Sequence, residues 1–544
     1  MKRLFIALIS LCTIVSAYAD DDVIEIWNKA QLIDFSNAVN DVEKGNNYSG
    51  KTVKLMADIT IVKEDNWVPI GATDDDTHSF GGTFDGQGNT ISITVSSSST
   101  VLGLFGYLRG TVQHLKVDGN ITNTSTLTTS TAGIAAYNRG TISECANLAH
   151  IIGTTAGGIA GENHGKITNC YNLGNILAAY GLSEGNYHLG GIAGAIDANE
   201  AEISNVYVSC MITDINTPQF PNGIVQNKIK GELKNCFYYV LLDGDSDYYI
   251  GNVGTPITSL EGTILDEKLN NANDYSIWTF TDGQLPELTC FVISLSDNSD
   301  NSSILTSYDG KKRTVLLSGR TLYRDGYWNT LCLPLDLGNA SALDGHHFDN
   351  TPLEGAIVKE MDTQGSDLTD NKLTLSFNPA ESIVAGKPYI IKWDNPGEPL
   401  SNVMFRDVTV KNKLVAVTSD DRCVTFEGTF SPFSIGDTST DTYDGDIDEI
   451  ILLSSDNTLG YSKNPRTLRS CRAHFMIPTS AGIRAMMDFD IDFDEEEVTA
   501  IANLKSQISS LKPESWFTLT GMKLDSKPTQ RGVYLHNGRK EAVR

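Results

Sequence analysis

The chain has no long apolar segment after its first twenty residues and few residues of positive charge. None of the later stretches reaches the roughly 18 apolar residues that a helix needs to cross a bilayer. Lysine and arginine number 41 against 68 aspartates and glutamates, which leaves a net charge of −27. Because nucleic-acid binding depends on basic surface, this composition argues against a nucleic-acid partner. It favours a well-solvated protein.

Cysteine is scarce, and no known catalytic motif occurs in the structural context that it requires. The nine cysteines are scattered and never form a Cys-x-x-Cys pair, so neither a zinc site nor a redox motif is supported. No nucleophile elbow, zinc-protease helix, phosphate-binding loop or dinucleotide fingerprint stands in its structural context. The sequence therefore predicts no catalytic residue, no metal ligand and no cofactor.

A short two-part phrase recurs five times between residues 103 and 242. Its first part is a glycine followed by an apolar pair, at Gly103, Gly133, Gly158, Gly191 and Gly223. Its second part begins at Gly110, Gly140, Gly165, Ala201 and Gly231, with spacings of 30, 25, 36 and 30 residues. A period of this length with uneven insertions indicates a stacked array of supersecondary units.

Each repeat alternates apolar and polar residues over four to six positions, which is typical of strands. Units of about 30 residues with two or three strands and glycine corners fit the coils of a parallel β-helix. A propeller blade would need four strands. Because parallel crossovers are right-handed by default, we expect a right-handed parallel β-helix, a solenoid whose equivalent side chains stack about 4.8 Å apart.

Three inward rows of side chains follow from this alignment. They are Val112, Ile142, Ile167, Ile203 and Leu233; Leu115, Cys145, Cys170, Val206 and Cys236; and Leu104, Ile134, Ile159, Ile192 and Ile224. Stacked inward cysteines usually behave as small hydrophobes, although the spacing of Cys145 and Cys170 also permits a disulfide.

The segments before the repeats predict an export signal and a cap. Residues 1–19 combine a charged start, an apolar stretch and an Ala-Tyr-Ala end, which indicates cleavage before Asp20 and an extracellular or outer-surface location. A strand and an amphipathic helix over Lys29–Val39 then begin the β-helix region, residues 20–290. A cap is expected because an open coil end exposes core and unpaired strand edge.

The remaining chain predicts two further β-rich parts. Residues 291–493 lose the repeat and show short alternating stretches between Gly, Asp and Asn turns, which favours an antiparallel β-sandwich. Residues 494–511 form an acidic, polar linker, and residues 512–544 form a short C-terminal β segment. The expected fold class is therefore all-β throughout.

Several phrases together resemble the GLUG-motif proteins found on the surfaces of Bacteroidetes-type and other bacteria. The resemblance rests on Trp67–Gly71, Phe80–Ile91, Gly103–Gly106, the later Gly-Gly-Ile-Ala-Gly phrases, and the closing Leu285–Leu288. It covers about residues 23–290. It implies a secreted or surface β-helical module, often adhesin-like, and it brings no catalytic residues.

The C-terminal segment resembles the sorting domain that the type IX secretion system recognises. Trp516–Gly521, the Pro528-x-x-x-Gly532-x-Tyr534 pattern and the basic residues Arg539 and Lys540 carry the resemblance. It implies the secretion machinery as a partner. A terminal β-hairpin without a sorting role is the alternative.

The turns between half-repeats contain the candidate ligand-binding residues. Arg109, Arg139, His164 and Lys230 each precede the second part of a repeat, and Glu200 does so in the fourth copy. Stacked coils would bring the four into a basic stripe that could contact an acidic glycan. Solvated turn residues without a ligand are the simpler interpretation.

Two acidic clusters depart from known calcium loops. Asp243, Asp245 and Asp247 alternate as calcium ligands do, but Tyr248 and Gly254 stand where such a loop needs Gly and Glu. A second acidic loop over residues 441–448 departs from the pattern as well. Acidic solvated turns are therefore expected instead of calcium sites.

Three classes of function remain open. The first is a non-catalytic adhesin or display scaffold that binds a glycan or a host surface protein. The second is a polysaccharide lyase or glycosidase, which would need a close pair of acids; the candidates Glu162, Asp197 and Glu200 are expected in long turns. The third is a purely structural envelope protein.

Overall fold

The computed structural model divides the chain into two compact units. The first comprises residues 1–294, 310–316 and 404–410, and the second comprises residues 295–309, 317–403 and 411–544. The residues described are 22–44, 46–125, 127–179, 187–213, 223–239, 255–257, 264–269, 277–281, 284–338, 347–369, 372–435, 450–461, 465–477, 488–492, 516–517, 523–524, 532–536 and 539–543.

Short strands are the main regular elements of the first 291 residues. Those strands are β1 (Val23–Ile26), β2 (Thr52–Leu55), β3 (Ile59–Ile61), β4 (Thr83–Asp85), β5 (Thr90–Ser97), β6 (Val101–Leu102), β7 (Phe105–Leu108), β8 (Thr111–Gln113), β9 (Lys116–Asn123), β10 (Ser130–Ala132), β11 (Ala135–Asn138), β12 (Thr141–Ser143), β13 (Ala146–Asn147), β14 (His150–Gly153), β15 (Thr155–Gly157), β16 (Ala160–Asn163), β17 (Lys166–Asn172), β18 (Ile176–Ala178), β19 (His188–Gly190), β20 (Ala193–Ile196), β21 (Glu202–Val208), β22 (Ile212–Thr213), β23 (Val225–Lys228), β24 (Glu232–Tyr239), β25 (Thr255–Ile257), β26 (Trp278–Thr279) and β27 (Glu287–Leu288). The helical segments are α1 (Lys29–Val39), α2 (Ile264–Leu269) and 3₁₀ turns at Lys63–Asp65 and Thr289–Phe291.

Strands also dominate the rest of the chain. They are β28 (Val292–Ser296), β29 (Lys312–Ser318), β30 (Thr321–Leu322), β31 (Asn329–Cys332), β32 (Ile357–Met361), β33 (Asp367–Thr369), β34 (Lys372–Pro379), β35 (Pro388–Lys392), β36 (Leu400–Ser401), β37 (Met404–Thr409), β38 (Val417–Thr418), β39 (Thr425–Thr429), β40 (Phe433–Ile435), β41 (Ile450–Leu453), β42 (Leu459–Tyr461), β43 (Arg466–Leu468), β44 (Arg472–Met476), β45 (Asp488–Asp492), β46 (Trp516–Phe517), β47 (Lys523–Leu524), β48 (Gly532–His536) and β49 (Arg539–Val543), with helix α3 at Ser302–Tyr308. The all-β prediction is therefore confirmed. Within the described ranges, no helix is long and apolar enough to cross a membrane.

The repeats of the first unit form parallel sheets. Successive repeats supply β8, β12, β17, β21 and β24 to one sheet, which β4 extends on the N-terminal side, β7, β11, β16, β20 and β23 to a second, and β6, β10, β15 and β19 to a third. Pairing is in register from repeat to repeat: Thr111 pairs with Thr141, Thr141 with Lys166, and Lys166 with Glu202. Each repeat therefore stacks on the previous one, as the period indicates.

The three predicted inward rows are confirmed. Val112 pairs with Ile142 and Ile142 with Ile167, and almost every member of the rows is fully buried. Leu233, in the last described repeat, is only partly buried. The row that contains Cys145, Cys170 and Cys236 is also buried, and these cysteines are free thiols. They fill space as small hydrophobes.

Helix α1 covers the range predicted from its apolar spacing. The Asn28 side chain accepts a hydrogen bond from the backbone N–H of Gln31 at 3.1 Å, which caps the helix N-terminus. Leu32, Phe35 and Val39 are buried in the core of the first unit. The helix thus buries its one apolar face against that core.

Two segments distant in sequence complete the first unit. Residues 310–316 and 404–410 pair as the antiparallel strands β29 and β37 within it. Nothing in the sequence pattern indicated that these residues would join the region of the repeats.

Two facing sheets form the core of the second unit. One has the order β31-β35-β32-β34-β33 and the other β38-β39-β44-β41-β42. Leu375 and Ile390 of the first sheet share one apolar cluster with Phe426 and Phe475 of the second. The described pairs are antiparallel, as predicted for a sandwich, except that β45 lies parallel to β34. Near the C-terminus, β47, β46, β48 and β49 form an antiparallel sheet.

Several predictions fall outside the described residues. These are the export signal over residues 1–19, the acidic cluster Asp243, Asp245 and Asp247, the acidic loop over residues 441–448, and the linker over residues 494–511.

Candidate functional site

The sheet β7-β11-β16-β20-β23 carries a continuous row of equivalent side chains. Its register aligns Tyr107 with Tyr137, Tyr137 with Glu162, Glu162 with Ala195, and Ala195 with Asn227. Because parallel neighbours are about 4.8 Å apart, side chains in such a row contact one another. The row therefore presents aromatic, acidic and amide groups along one line.

The two tyrosines at the start of this row stack on each other. Their ring centroids are 4.9 Å apart and their planes differ by 12°. The ring of His164 continues the stack, 6.3 Å from that of Tyr137. The Tyr107 hydroxyl makes no hydrogen bond to another described residue. We call Tyr107, Tyr137, Ser130, Glu162 and His164 the tyrosine face.

Glu162 lies in strand β16 and not in the long turn expected for it, and it contacts both Ser130 and His164 of the tyrosine face. It accepts a hydrogen bond from the Ser130 hydroxyl at 2.8 Å and lies 3.3 Å from Nε2 of His164. Burial alone would raise the pKa of this carboxyl. The hydrogen bonds from His164, Ser130 and Tyr137 outweigh burial and hold the pKa below its ordinary value. Glu162 is therefore a fixed anion at neutral pH.

Two of the predicted basic residues share a single carboxylate. Arg109 lies 3.2 Å from Asp74 and also 3.2 Å from Asp76, and Arg139 contacts Asp74 as well. The Arg139 guanidinium also lies over the ring of Tyr107 at 6.0 Å. The structure thus brings Arg109 and Arg139 together beside the tyrosine face, but acidic residues compensate their charges.

His164 and Lys230 are also placed beside carboxylates. His164 belongs to the tyrosine face and pairs with Glu162. Lys230 lies 3.5 Å from Asp197, and both side chains are about half exposed. Each of the four predicted residues thus has an acidic neighbour, which reduces the positive field that an unpaired stripe would produce.

The arrangement around Glu162 differs from a hydrolytic site. In a Ser–His–acid triad the histidine lies between the other two groups, whereas here the carboxylate lies between Ser130 and His164. A general acid needs a raised pKa, but the pKa of Glu162 is lowered. Within the described ranges, no group of three His, Cys, Asp or Glu side chains could hold a metal ion.

Sequence reasoning missed Tyr107, Tyr137 and Asp74. The two tyrosines could have been found, since each stands four residues after the glycine that opens its repeat, at Gly103 and Gly133. Asp74 lies before the repeats and carries no periodic signal. Only the folded chain shows that it contacts two arginines.

No protein-family model matches the chain, and no curated protein matches it. Among solved structures, the chain is similar to a Bacteroides ovatus protein described provisionally as an immunoglobulin A1 protease. The two are 18% identical, with a TM-score of 0.37, over 50% of this chain and 94% of that chain.

Proposed function

We propose that this protein is an exported, non-catalytic binding scaffold of a bacterial cell surface. Its first unit would be a right-handed parallel β-helix that recognises a neutral glycan through the tyrosine face. The observation that carries the proposal is the stack of Tyr107 on Tyr137 beside the fixed carboxylate of Glu162.

The chemistry of the tyrosine face suits a sugar polymer. Tyrosine offers a rigid amphipathic surface at low entropic cost, with an apolar ring and a polar tip. Sugar rings likewise present C–H surfaces beside hydroxyl groups. The carboxylate of Glu162 accepts hydrogen bonds, and the partly exposed Tyr107 hydroxyl can both donate and accept them. The repeat spacing would let successive sugars meet equivalent positions.

The local charge favours a neutral ligand over an acidic one. Arg109 and Arg139 share Asp74, and Glu162 and Asp76 add two further negative groups nearby. An acidic glycan would therefore find the positive charges of Arg109 and Arg139 already compensated. A neutral glycan would need to displace none of these ion pairs.

Export and surface display rest on the sequence resemblances. The signal-like residues 1–19 would direct export, and the GLUG-like repeats would form an adhesin-like module. The C-terminal segment would be sorted by a type IX secretion system. A purely structural envelope protein and a carbohydrate-active enzyme on the same β-helix are the competing functions.

A polysaccharide-binding assay with matched variants tests the proposal. The protein would be run through gels containing neutral or acidic polysaccharides, and the released material would be sized. We expect retardation by at least one neutral polysaccharide, without shortening. Tyr107→Ala and Tyr137→Ala should each weaken that binding about tenfold. Tyr323→Ala, at a 55% exposed tyrosine of the second unit, should not.

Each competing function predicts another outcome. If the protein shortens a polysaccharide, and substitution of Glu162 abolishes that shortening, the protein is an enzyme and not a binding scaffold. Absence of retardation by every polysaccharide would leave a structural role or a protein partner. Binding that survives both tyrosine substitutions would move the site away from the tyrosine face.

A further inference from the structure

The second unit contains a cleft that no sequence motif indicated. Its volume is about 440 Å³, within the range of small-molecule sites. Its walls are the strands β41, β42 and β43, the start of β44, and residues 328–330. We call it the arginine cleft for the residues that line it, Arg320, Arg466, Arg469 and Arg472.

The charge of the arginine cleft is opposite to that of the whole protein. Four arginines line it, and none of its described lining residues is an aspartate or glutamate. One carboxylate, the buried Asp297, pairs with Arg472 and lies 3.4 Å from Arg469. Asp456 is a second carboxylate, and it accepts hydrogen bonds from the hydroxyls of Ser454 and Thr458 in the lining. Among the described residues, these two carboxylates against four guanidiniums leave a local excess of positive charge, in a chain whose net charge is −27.

Arg320 is the buried cation of the cleft. Only 5% of it is exposed, and its guanidinium donates to the backbone oxygens of Thr321 at 3.1 Å and Thr330 at 2.7 Å. It forms no ion pair with a described residue, and its Nε–H has no hydrogen-bond acceptor. Asp297 attracts Arg320 without forming an ion pair with it. A buried cation without a paired carboxylate costs free energy, and an anion in the cleft would offset that cost.

The surroundings of Arg320 agree with this interpretation. Burial and the neighbouring charge of Arg472 lower the pKa of Arg320 to about 9. A bound anion would raise it again. Lys359 and Lys392 lie over the ring of Trp328, which lines the cleft, with their Nζ atoms 5.6 Å and 4.9 Å from the ring centroid. Lys392 also lies 3.4 Å from Asp394, which compensates its charge.

The lining also contains neutral hydrogen-bonding groups. Ser455, Thr458, Thr467 and Asn329 supply hydroxyl and amide groups, which can bind sugar hydroxyls. Arginine binds carboxylate and sulfate through two parallel N–H donors. We propose that the arginine cleft binds a mono- or disaccharide that carries a carboxylate or a sulfate. This site is independent of the tyrosine face.

Titration calorimetry on the whole protein tests the assignment. The probes are glucuronate, glucose 6-sulfate, glucose and inorganic sulfate at constant ionic strength. We expect the two acidic sugars to bind at least tenfold more tightly than glucose or inorganic sulfate. Their binding should weaken about tenfold in Arg466→Gln, which changes an exposed residue, and in Arg320→Gln. Arg422→Gln, an exposed arginine of the same unit outside the cleft, should leave the affinity unchanged.

Other outcomes would overturn the proposal. Equal affinity for glucose and glucuronate would show that the arginines do not contribute to binding through the carboxylate. Inorganic sulfate binding as tightly as the acidic sugars, or preferential binding of an acidic peptide, would overturn the sugar assignment. If Arg466→Gln and Arg320→Gln are both folded and bind the acidic sugars as the unmodified protein does, the binding site lies outside the arginine cleft. Tyr107→Ala should retain acidic-sugar binding, so failure of the tyrosine face and failure of the arginine cleft are distinguishable.

Discussion

His114 occupies a left-handed backbone position between two carboxylates. Its φ is 50°, Nδ1 lies 3.1 Å from Asp85, and Nε2 lies 3.6 Å from Glu144. The hydrogen bond with Asp85 and then the nearby carboxylate of Glu144 raise the pKa of His114 from 6.5 to about 10, against the opposing effect of burial. The folded protein therefore holds a proton that the unfolded chain releases near neutral pH.

This linkage predicts a loss of stability in the alkaline range. Below pH 6.5 both states are protonated and the His114 contribution is fully present. It is lost as the pH rises from about 6.5 to about 10. In His114→Asn, the melting temperature should fall less between pH 6.5 and 9 than in the unmodified protein. Calorimetry at each pH checks this, with the exposed His150→Asn as control; parallel curves for His114→Asn and the unmodified protein would contradict it.

The position of His114 recurs in every repeat with the same backbone conformation. The equivalent residues have φ between 49° and 52°: His114, Glu144, Asn169, Asn205 and Asn235. Asparagine tolerates the left-handed region better than most residues with a side chain. Three asparagines at this turn are therefore explained by backbone geometry.

Replacement of Asn169 should test that geometry. Asn169→Ala should lower the free energy of unfolding by about 1 kcal/mol, because alanine is strained at positive φ. Asn169→Gly should cost much less, since glycine adopts this region freely. Urea unfolding of the two variants measures the difference. Equal losses would show that the Asn169 side chain matters through its contacts and not through its backbone conformation.

At the scale of elements, a buried polar network joins β29 and β37 to the repeats of the first unit. Glu287 is fully buried and accepts hydrogen bonds from the Tyr171 hydroxyl at 2.6 Å, the Thr314 hydroxyl at 2.9 Å and Arg406 at 3.0 Å. Lys116 lies 3.6 Å from the same carboxylate. This carboxylate compensates the buried Arg406, and together with Asp407, which lies 2.7 Å from Nζ of Lys116, it also compensates Lys116.

Removal of the Glu287 carboxylate should therefore be costly. Glu287→Ala leaves Arg406 and Lys116 without this anion, and we expect a loss of about 3 kcal/mol in the free energy of unfolding. Denaturant unfolding of the protein measures it. The exposed Glu43→Ala is the matched control and should change stability by less than about 0.5 kcal/mol. A similar loss in the two variants would contradict the role assigned to Glu287.

At the scale of the whole molecule, the two proposed sites differ in their electrostatics. The tyrosine face pairs its charges internally, whereas the arginine cleft has four guanidiniums beside the described carboxylates Asp297 and Asp456. Salt screens the attraction between separated charges and has little effect on neutral contacts. The two sites should therefore respond differently to ionic strength.

Raising the salt concentration distinguishes the two sites in a single protein preparation, because only the binding of a charged ligand should weaken. From about 0.05 M to about 0.5 M NaCl, glucuronate affinity should fall several-fold, while affinity for a neutral polysaccharide should stay constant. Calorimetry and affinity electrophoresis measure the two. A neutral-polysaccharide affinity that falls as steeply as that for glucuronate would show that charge governs the tyrosine face as well.

The sequence by itself determined the all-β class, the range of α1, and the parallel, in-register stacking of the repeats. These features depend on local patterns: alternating apolar residues, glycine corners and a phrase copied five times. Each copy repeats the same information, so the inward rows from Val112 to Leu233 could be aligned without coordinates. An amphipathic helix is similarly determined by its own residues, as Leu32, Phe35 and Val39 show.

Only the tertiary structure decided the partners of charged and aromatic side chains. Arg109 and Arg139 meet Asp74 across 35 and 65 residues, and this contact changes an expected basic stripe into compensated pairs. The inclusion of residues 310–316 and 404–410 in the first unit and the burial of Arg320 without an ion pair to a described residue are equally non-local. The periodicity of the sequence does not predict such pairings, because they depend on where distant segments of the chain pack.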